Sequence, residues 1–189
     1  MAFLEALIGE IQQDWRVDPA RVYVAGISNG GMMTHRLGCE LSDKIAALAV
    51  VAGAKGESDC MPVPPLSVIL FHGTADLYVP LAGGLSKKHI LKYPGTPPPI
   101  HPPLKDAREF WISRLGCSSQ PRVSGKSPIR KETYTNANSG CEVVIYTIEG
   151  GGHTWPGTVV GNWRNRSEPM QEVPASRLIW EFFTRHPKR

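Results

Sequence analysis

Apolar residues in this chain come in two rhythms. Phe3, Leu4, Leu7, Ile8 and Ile11 recur at spacings of three and four, which predicts a helix that packs on a sheet and ends before Asp18-Pro19. Val22-Tyr23-Val24-Ala25, Ile45 to Val51 and Ser67 to Phe71 are instead short unbroken runs, as expected of strands covered on both faces. Ala107, Phe110, Trp111 and Leu115 return to helical spacing, Glu142 to Ile148 reads as a further strand, and Leu178, Ile179, Phe182 and Phe183 mark the inner face of a closing helix. Apolar strands alternating with amphipathic helices imply parallel strands joined by crossovers. The predicted class is therefore α/β: an open, mostly parallel sheet with helices on both faces. The stretch from Tyr93 to Pro103 is dominated by proline, which supports neither a helix nor an inner strand, so it reads as an extended surface loop, an inserted connection in preference to a rim or lid over the site.

Composition narrows the picture. At 189 residues and 41% hydrophobic, the chain suits one α/β domain over residues 1–189 with a substantial core. Lys plus Arg exceed Asp plus Glu by only 21 to 17, and part of that excess sits in the terminal run Arg185 to Arg189, which reads as a solvated end. Binding to nucleic acid or membrane is not expected. No apolar run approaches membrane-spanning length, and Glu5 and Glu10 fall where a signal peptide needs a basic start and an unbroken apolar core. Cys39, Cys60, Cys117 and Cys141 show no C-x-x-C spacing, which argues against a zinc site. Disulfides and four reduced thiols both fit, with three pairings available if all are bridged.

The chemistry gathers at the ends of the predicted strands. Gly26-Ile27-Ser28-Asn29-Gly30 follows the first of them and opens a helix. A serine on so tight a strand-to-helix turn is crowded, glycines on either side relieve the crowding, and its hydroxyl projects beyond the sheet. The backbone N–H of Asn29, unpaired at the helix start, is placed to stabilise an oxyanion formed by attack of Ser28 on a carbonyl. Asp76 follows the Ser67 to Phe71 strand and His153 follows the Glu142 to Ile148 strand, so three loops deliver Ser, Asp and His to one sheet edge, where ligands of such sheets bind. Ser28 is expected to attack an ester, His153 to take and return the proton, and Asp76 to hold the imidazole. Asp59 is a weaker competitor for the acid. His72 reads as structural, and His35, His89, His101 and His186 have no partner pattern. No His and carboxylate cluster has metal-ligand spacing, so neither metal nor cofactor is expected.

The segments RVYVAGISNGGMM, VILFHGTAD followed by VP, GGGHTWPG and LIWEFF resemble the polyhydroxybutyrate depolymerase and feruloyl/acetylxylan esterase group of the α/β hydrolases over nearly the whole chain outside the proline-rich loop. The resemblance implies Ser28 as nucleophile, Asp76 as acid and His153 as base, with Trp155 either lining the cleft or packing. It also implies the disulfides Cys117 with Cys141 and Cys39 with Cys60, and an extracellular or periplasmic location. Members of the group carry strands and a His-Gly-rich oxyanion loop ahead of the opening helix. In this sequence Met1 directly precedes that helix, so the chain is expected to lack those first strands and one oxyanion donor. A second copy could cover the bare sheet edge. The expected activity is a serine carboxylesterase on short or aromatic (acetyl, feruloyl) esters, including esters on plant polysaccharides. A polyester depolymerase and a catalytically impaired fragment with a binding or structural role are the alternatives.

Overall fold

The structure, a computed structural model, describes residues 1–56, 59–158 and 169–188; Arg189, the last residue of the basic end, lies outside them. Each unbroken apolar run is a strand: β1 (Tyr23–Ile27), β2 (Ala47–Val51) and β3 (Ser67–Gly73) pair in parallel, and β8 (Glu142–Ile148) joins the far side of β3, also in parallel. The registers run Ile27 beside Val51, Val51 beside Phe71 and Phe71 beside Tyr146. The ends of these four strands are thereby level. Every residue of β2 and β3 is buried, which is why neither strand alternates in polarity.

Two strands escape the hydropathy pattern. β7 (Ile129–Thr135) and β6 (Arg122–Ser124) continue the sheet antiparallel, giving the order β1-β2-β3-β8-β7-β6. β6 is wholly exposed, and β7 buries only Thr133 and Tyr134, so neither needs an apolar run. The proline-rich stretch is extended as expected, but it also holds a strand. β5 (Ile100–His101) pairs antiparallel with β4 (Gly84–Leu85) in a separate two-stranded ribbon. Prolines flank β5 without interrupting it, as the edge of a small ribbon allows.

Helices cover both faces. α5 (Ala175–Arg185) lays Ile179, Phe182 and Phe183 on Ala49, Ile69, Phe71 and Val144. On the other face α4 (Leu104–Arg114) inserts Trp111 and the following Leu115 among Leu48, Val50, Leu70 and Ile145. α1 (Ala2–Asp14) corrects the expectation of a helix seated on the sheet. Only Leu4 and Ile8, with Met1, pack inward, against Leu37, Leu41 and Ile45, while Phe3, Leu7 and Ile11 stay exposed. The short helix α3 (Lys87–Lys92), capped by Ser86, was not foreseen; six residues carry too little periodicity to show.

Between α2 (Asn29–Glu40) and α4 lies a buried histidine. His35 Nδ1 accepts a hydrogen bond from Trp111 Nε1 at 3.0 Å, so its proton sits on Nε2, which has no hydrogen-bond partner among the described residues. Burial first, then the nearby Lys55 charge, lowers its pKa to about 3, with the Gly53 carbonyl opposing part of the shift. The depressed value means that the unfolded chain binds this proton near pH 6.5 while the folded chain refuses it until about pH 3. Stability from this residue is complete above the unfolded value and declines through that window at up to about 1.4 kcal/mol per pH unit. In denaturant titrations at pH 7 and pH 5, His35→Gln, whose amide oxygen can still accept from Trp111, is expected to lose less stability on acidification than the native chain. Equal losses would show that His35 charges without cost.

Candidate active site

Ser28 follows β1 and caps α2 with φ +57° and ψ −121°, a conformation disfavoured for a side chain bearing Cβ. Such strain costs about 1–3 kcal/mol and persists only when the surroundings impose it. Ser28 N–H donates to Val51 O at 2.9 Å, and its carbonyl accepts from Met32 N–H at 2.9 Å, so the next strand and the helix both grip the turn. Close approach explains the first glycine of the motif: a Cβ on Gly26 would strike the Gly30 carbonyl group. The second is different, because a Cβ on Gly30 meets open space. The space-limited partner is Gly31, a buried residue against Val50 and Gly53. Asn29 opens α2, where its N–H has no intrahelical acceptor by the geometry of a first turn.

Asp76 and His153 meet. His153 Nδ1 donates to Asp76 Oδ2 at 2.8 Å, the Asp76 side chain being fully buried and the imidazole half-buried. The other carboxylate oxygen, Oδ1, accepts from the N–H groups of Tyr78 at 2.8 Å and Val79 at 2.9 Å. With both oxygens engaged, the carboxylate cannot rotate away from the imidazole. His72, at the end of β3, is buried and donates from Nε2 to Val79 O at 2.8 Å, fixing the same loop from below. Burial lowers the His72 pKa, so it stays neutral 3.6 Å from Asp76 Oδ2 and does not compete with His153 as a counter-charge. The sequence placed His72 as structural, and this is the structure it serves.

The loops carrying Asp76 and His153 are joined directly. Thr74 N–H donates to Ile148 O and Ala75 N–H to Gly151 O, each at 2.9 Å, and Gly150 N–H donates to Thr74 Oγ1 at 2.9 Å. The contact is so close that a Cβ on Gly73 would collide with the Gly151 backbone. Gly73→Ala is therefore expected to push the His153 loop away from Asp76. Misplacement by about 1 Å costs on the order of 10²-fold in turnover, measurable on p-nitrophenyl acetate at a temperature where circular dichroism shows the variant folded. A folded variant with unchanged turnover would separate loop spacing from activity.

Two residues of the site had no signal in the sequence. Tyr78 places its ring 5.0 Å from that of His153, forming one wall beside the imidazole. His101, on β5, lies in electrostatic reach of both Asp76 and His153. Among the described residues no hydrogen bond joins Ser28 Oγ to His153, whose Nδ1 is engaged by Asp76. Trp155 packs against the α5 side of the core and donates from Nε1 to Ser176 Oγ at 3.0 Å, an arrangement that ties the His153 loop to α5. Cys39 and Cys60 form a disulfide, pinning the end of α2 to the loop before β3. Cys117 and Cys141 correct the second implied pair: they are free thiols, Cys117 Sγ facing the Cys141 carbonyl at 3.8 Å instead of its sulfur.

A strained serine on a strand-to-helix turn, with an aspartate and a histidine paired on later loops of one mostly parallel sheet, is the arrangement of the α/β-hydrolase fold. The comparisons agree. The acetyl xylan esterase from Aspergillus awamori has the same fold, superposing with a TM-score of 0.58 at 14% identity over 97% of this chain and 66% of that one. Feruloyl esterase B of Piromyces equi is 35% identical over 160 residues, covering 80% of this chain and 28% of its own length. Feruloyl esterase D of Neurospora crassa is 25% identical over 191 residues, covering 98% and 55% respectively. No family model matches the chain. The chain has the α/β-hydrolase fold and is similar in sequence to the feruloyl esterases. It spans about half the length, or less, of these curated relatives.

Proposed function

We propose that this chain carries the catalytic elements of a serine carboxylesterase acting on short or aromatic acyl esters. The observation that carries the reading is the 2.8 Å bond from His153 Nδ1 to a fully buried Asp76, on the sheet edge where Ser28 stands at φ +57°. In the reaction His153 Nε2 takes the Ser28 proton as Oγ attacks the acyl carbon. The tetrahedral oxyanion is stabilised by Asn29 N–H at the positive end of α2. Collapse of that intermediate breaks the bond to the alcohol, which leaves with the proton from His153 and gives the acyl-enzyme. Water activated by the same imidazole then releases the acid and restores Ser28. Asp76 holds the tautomer with Nε2 free and stabilises the imidazolium in both halves.

The names of the relatives support feruloyl and acetyl esters, including esters borne by plant polysaccharide, as substrates. The Cys39–Cys60 disulfide supports an oxidising compartment outside the cytosol. The test is release of acid from p-nitrophenyl acetate and methyl ferulate by the purified chain. The reading requires hydrolysis of at least one of them well above the buffer rate, and a folded chain that turns over neither would overturn it.

A further inference from the structure

The ribbon formed by the proline-rich stretch is joined to the catalytic acid by a short, rigid path. Val79, whose N–H holds Asp76, is buried, and the chain then turns through Pro80 to Gly83, where Gly83 N–H donates to Pro80 O at 2.8 Å. β4 begins at once and pairs Gly84 with His101. Three bonds clamp the ribbon further: Ser86 N–H to Pro99 O at 3.1 Å, Lys88 N–H to Leu77 O at 3.0 Å and Leu104 N–H to Leu81 O at 2.9 Å. Gly83, at φ +77°, lies so close that a Cβ would stand 2.9 Å from the His101 carbonyl and 2.8 Å from Pro103 N. Movement of β5 relative to Asp76 is thereby restricted.

β5 forms one wall of a cavity of about 530 Å³, a volume typical of small-molecule sites. α2 forms the facing wall. Met32, whose N–H donates to the Ser28 carbonyl at 2.9 Å, lines it one helical turn after Ser28. Ala54, Ile100 and Pro102 add apolar lining, Arg36 and Glu40 on α2 neutralise each other in an ion pair, and the deeply buried His35 lies at the α2 side. Against these surfaces His101 presents a half-buried imidazole that makes no hydrogen bond among the described residues. Burial lowers its pKa, the Asp76 charge opposing and His153 adding to the shift, so the ring is neutral and offers one donor and one acceptor.

Resting on the esterase reading above, we propose that His101 is a specificity-determining residue, whose neutral imidazole hydrogen-bonds a hydroxyl group carried by an uncharged ester lying in this cavity. The class of substrate selected is thus a neutral hydroxylated ester over its unsubstituted counterpart. A half-buried imidazole beside apolar lining discriminates because the counterpart leaves it desolvated and unpaired.

Binding in the non-hydrolysing Ser28→Ala background separates this proposal from catalysis. Calorimetric titration with methyl cinnamate and its 3- and 4-hydroxy derivatives reads the hydroxyl alone. Adding His101→Ala is expected to weaken at least one hydroxylated ester about tenfold, a change of about 1.4 kcal/mol, and to leave methyl cinnamate as tightly bound or tighter. His101→Gln, neutral and hydrogen-bonding, is expected to recover most of the loss. Equal weakening of all three esters, or of none, overturns the proposal whatever the hydrolytic assay gives. Failure of the esterase reading appears elsewhere, as turnover that survives Ser28→Ala alone.

Discussion

Ser28→Ala is expected to remove ester hydrolysis, with kcat falling by about 10⁴-fold or more, the range seen when a triad nucleophile is deleted. No neighbouring group can substitute. His153 has its Nδ1 committed to Asp76, and Thr34 Oγ1, the nearest buried hydroxyl on α2, donates back to the Gly30 carbonyl at 2.8 Å. Removing Oγ also leaves the turn intact, since its two clamps are backbone bonds to Val51 and Met32 and the Ser28 side chain makes no helix-capping bond. The melting temperature should therefore stay close to that of the native chain while steady-state hydrolysis of p-nitrophenyl acetate disappears. Loss of fold together with activity would leave the serine structural.

Asp76→Asn is expected to lower kcat by about 10⁴-fold, the magnitude associated with a wrong imidazole tautomer. The amide oxygen can still accept from Tyr78 and Val79, so the loop keeps the bonds that Asp76 Oδ1 now receives. The amide NH₂ then faces His153 Nδ1 where Oδ2 stood. Two donors cannot share that contact, so His153 moves its proton to Nε2 and loses the lone pair that Ser28 requires. Steady-state kinetics should show the fall in kcat with KM little changed. A variant within tenfold of the native rate would assign the 2.8 Å bond to loop architecture instead of to proton transfer.

The parts of the fold readable in the sequence were those that pay in buried apolar area alone. β2 and β3 are buried at every position, so their runs admit no other reading, and α5 shows its inner face in Ile179, Phe182 and Phe183. β7 and β6 were hidden because neither carries an apolar run, β6 being exposed throughout and β7 burying only Thr133 and Tyr134, and only pairing onto β8 and onto each other makes them strands. α1 misled for the opposite reason: its apolar spacing is genuine, yet a helix touching its neighbours through Leu4 and Ile8 leaves half of that stripe outside.

The site divides in the same way. Ser28, Asp76 and His153 were legible because each follows a strand, and parallel strands in register bring their ends to one edge. The supports were not. Gly73 and Gly151 touch across 78 residues of chain, and nothing local marks either glycine as a spacer. Gly30 shows the reverse, a motif glycine whose Cβ position is empty. His101 was left without a partner because the proline-rich stretch around it reads as loop. Only the pairing of Gly84 with His101 carries that imidazole to the cavity beside α2.

The central claim is that Ser28 is a nucleophile activated by the Asp76–His153 pair, and covalent labelling tests it most directly. The chain is treated with a fluorophosphonate, which serine hydrolases accept at an activated Oγ, digested, and read by peptide mass spectrometry. The account predicts a single phosphonyl adduct on the peptide containing Ser28, absent after Ser28→Ala and strongly slowed in His153→Ala and Asp76→Asn. Labelling of Ser28 at the same rate in the His153 variant, or an adduct on another serine, would contradict it.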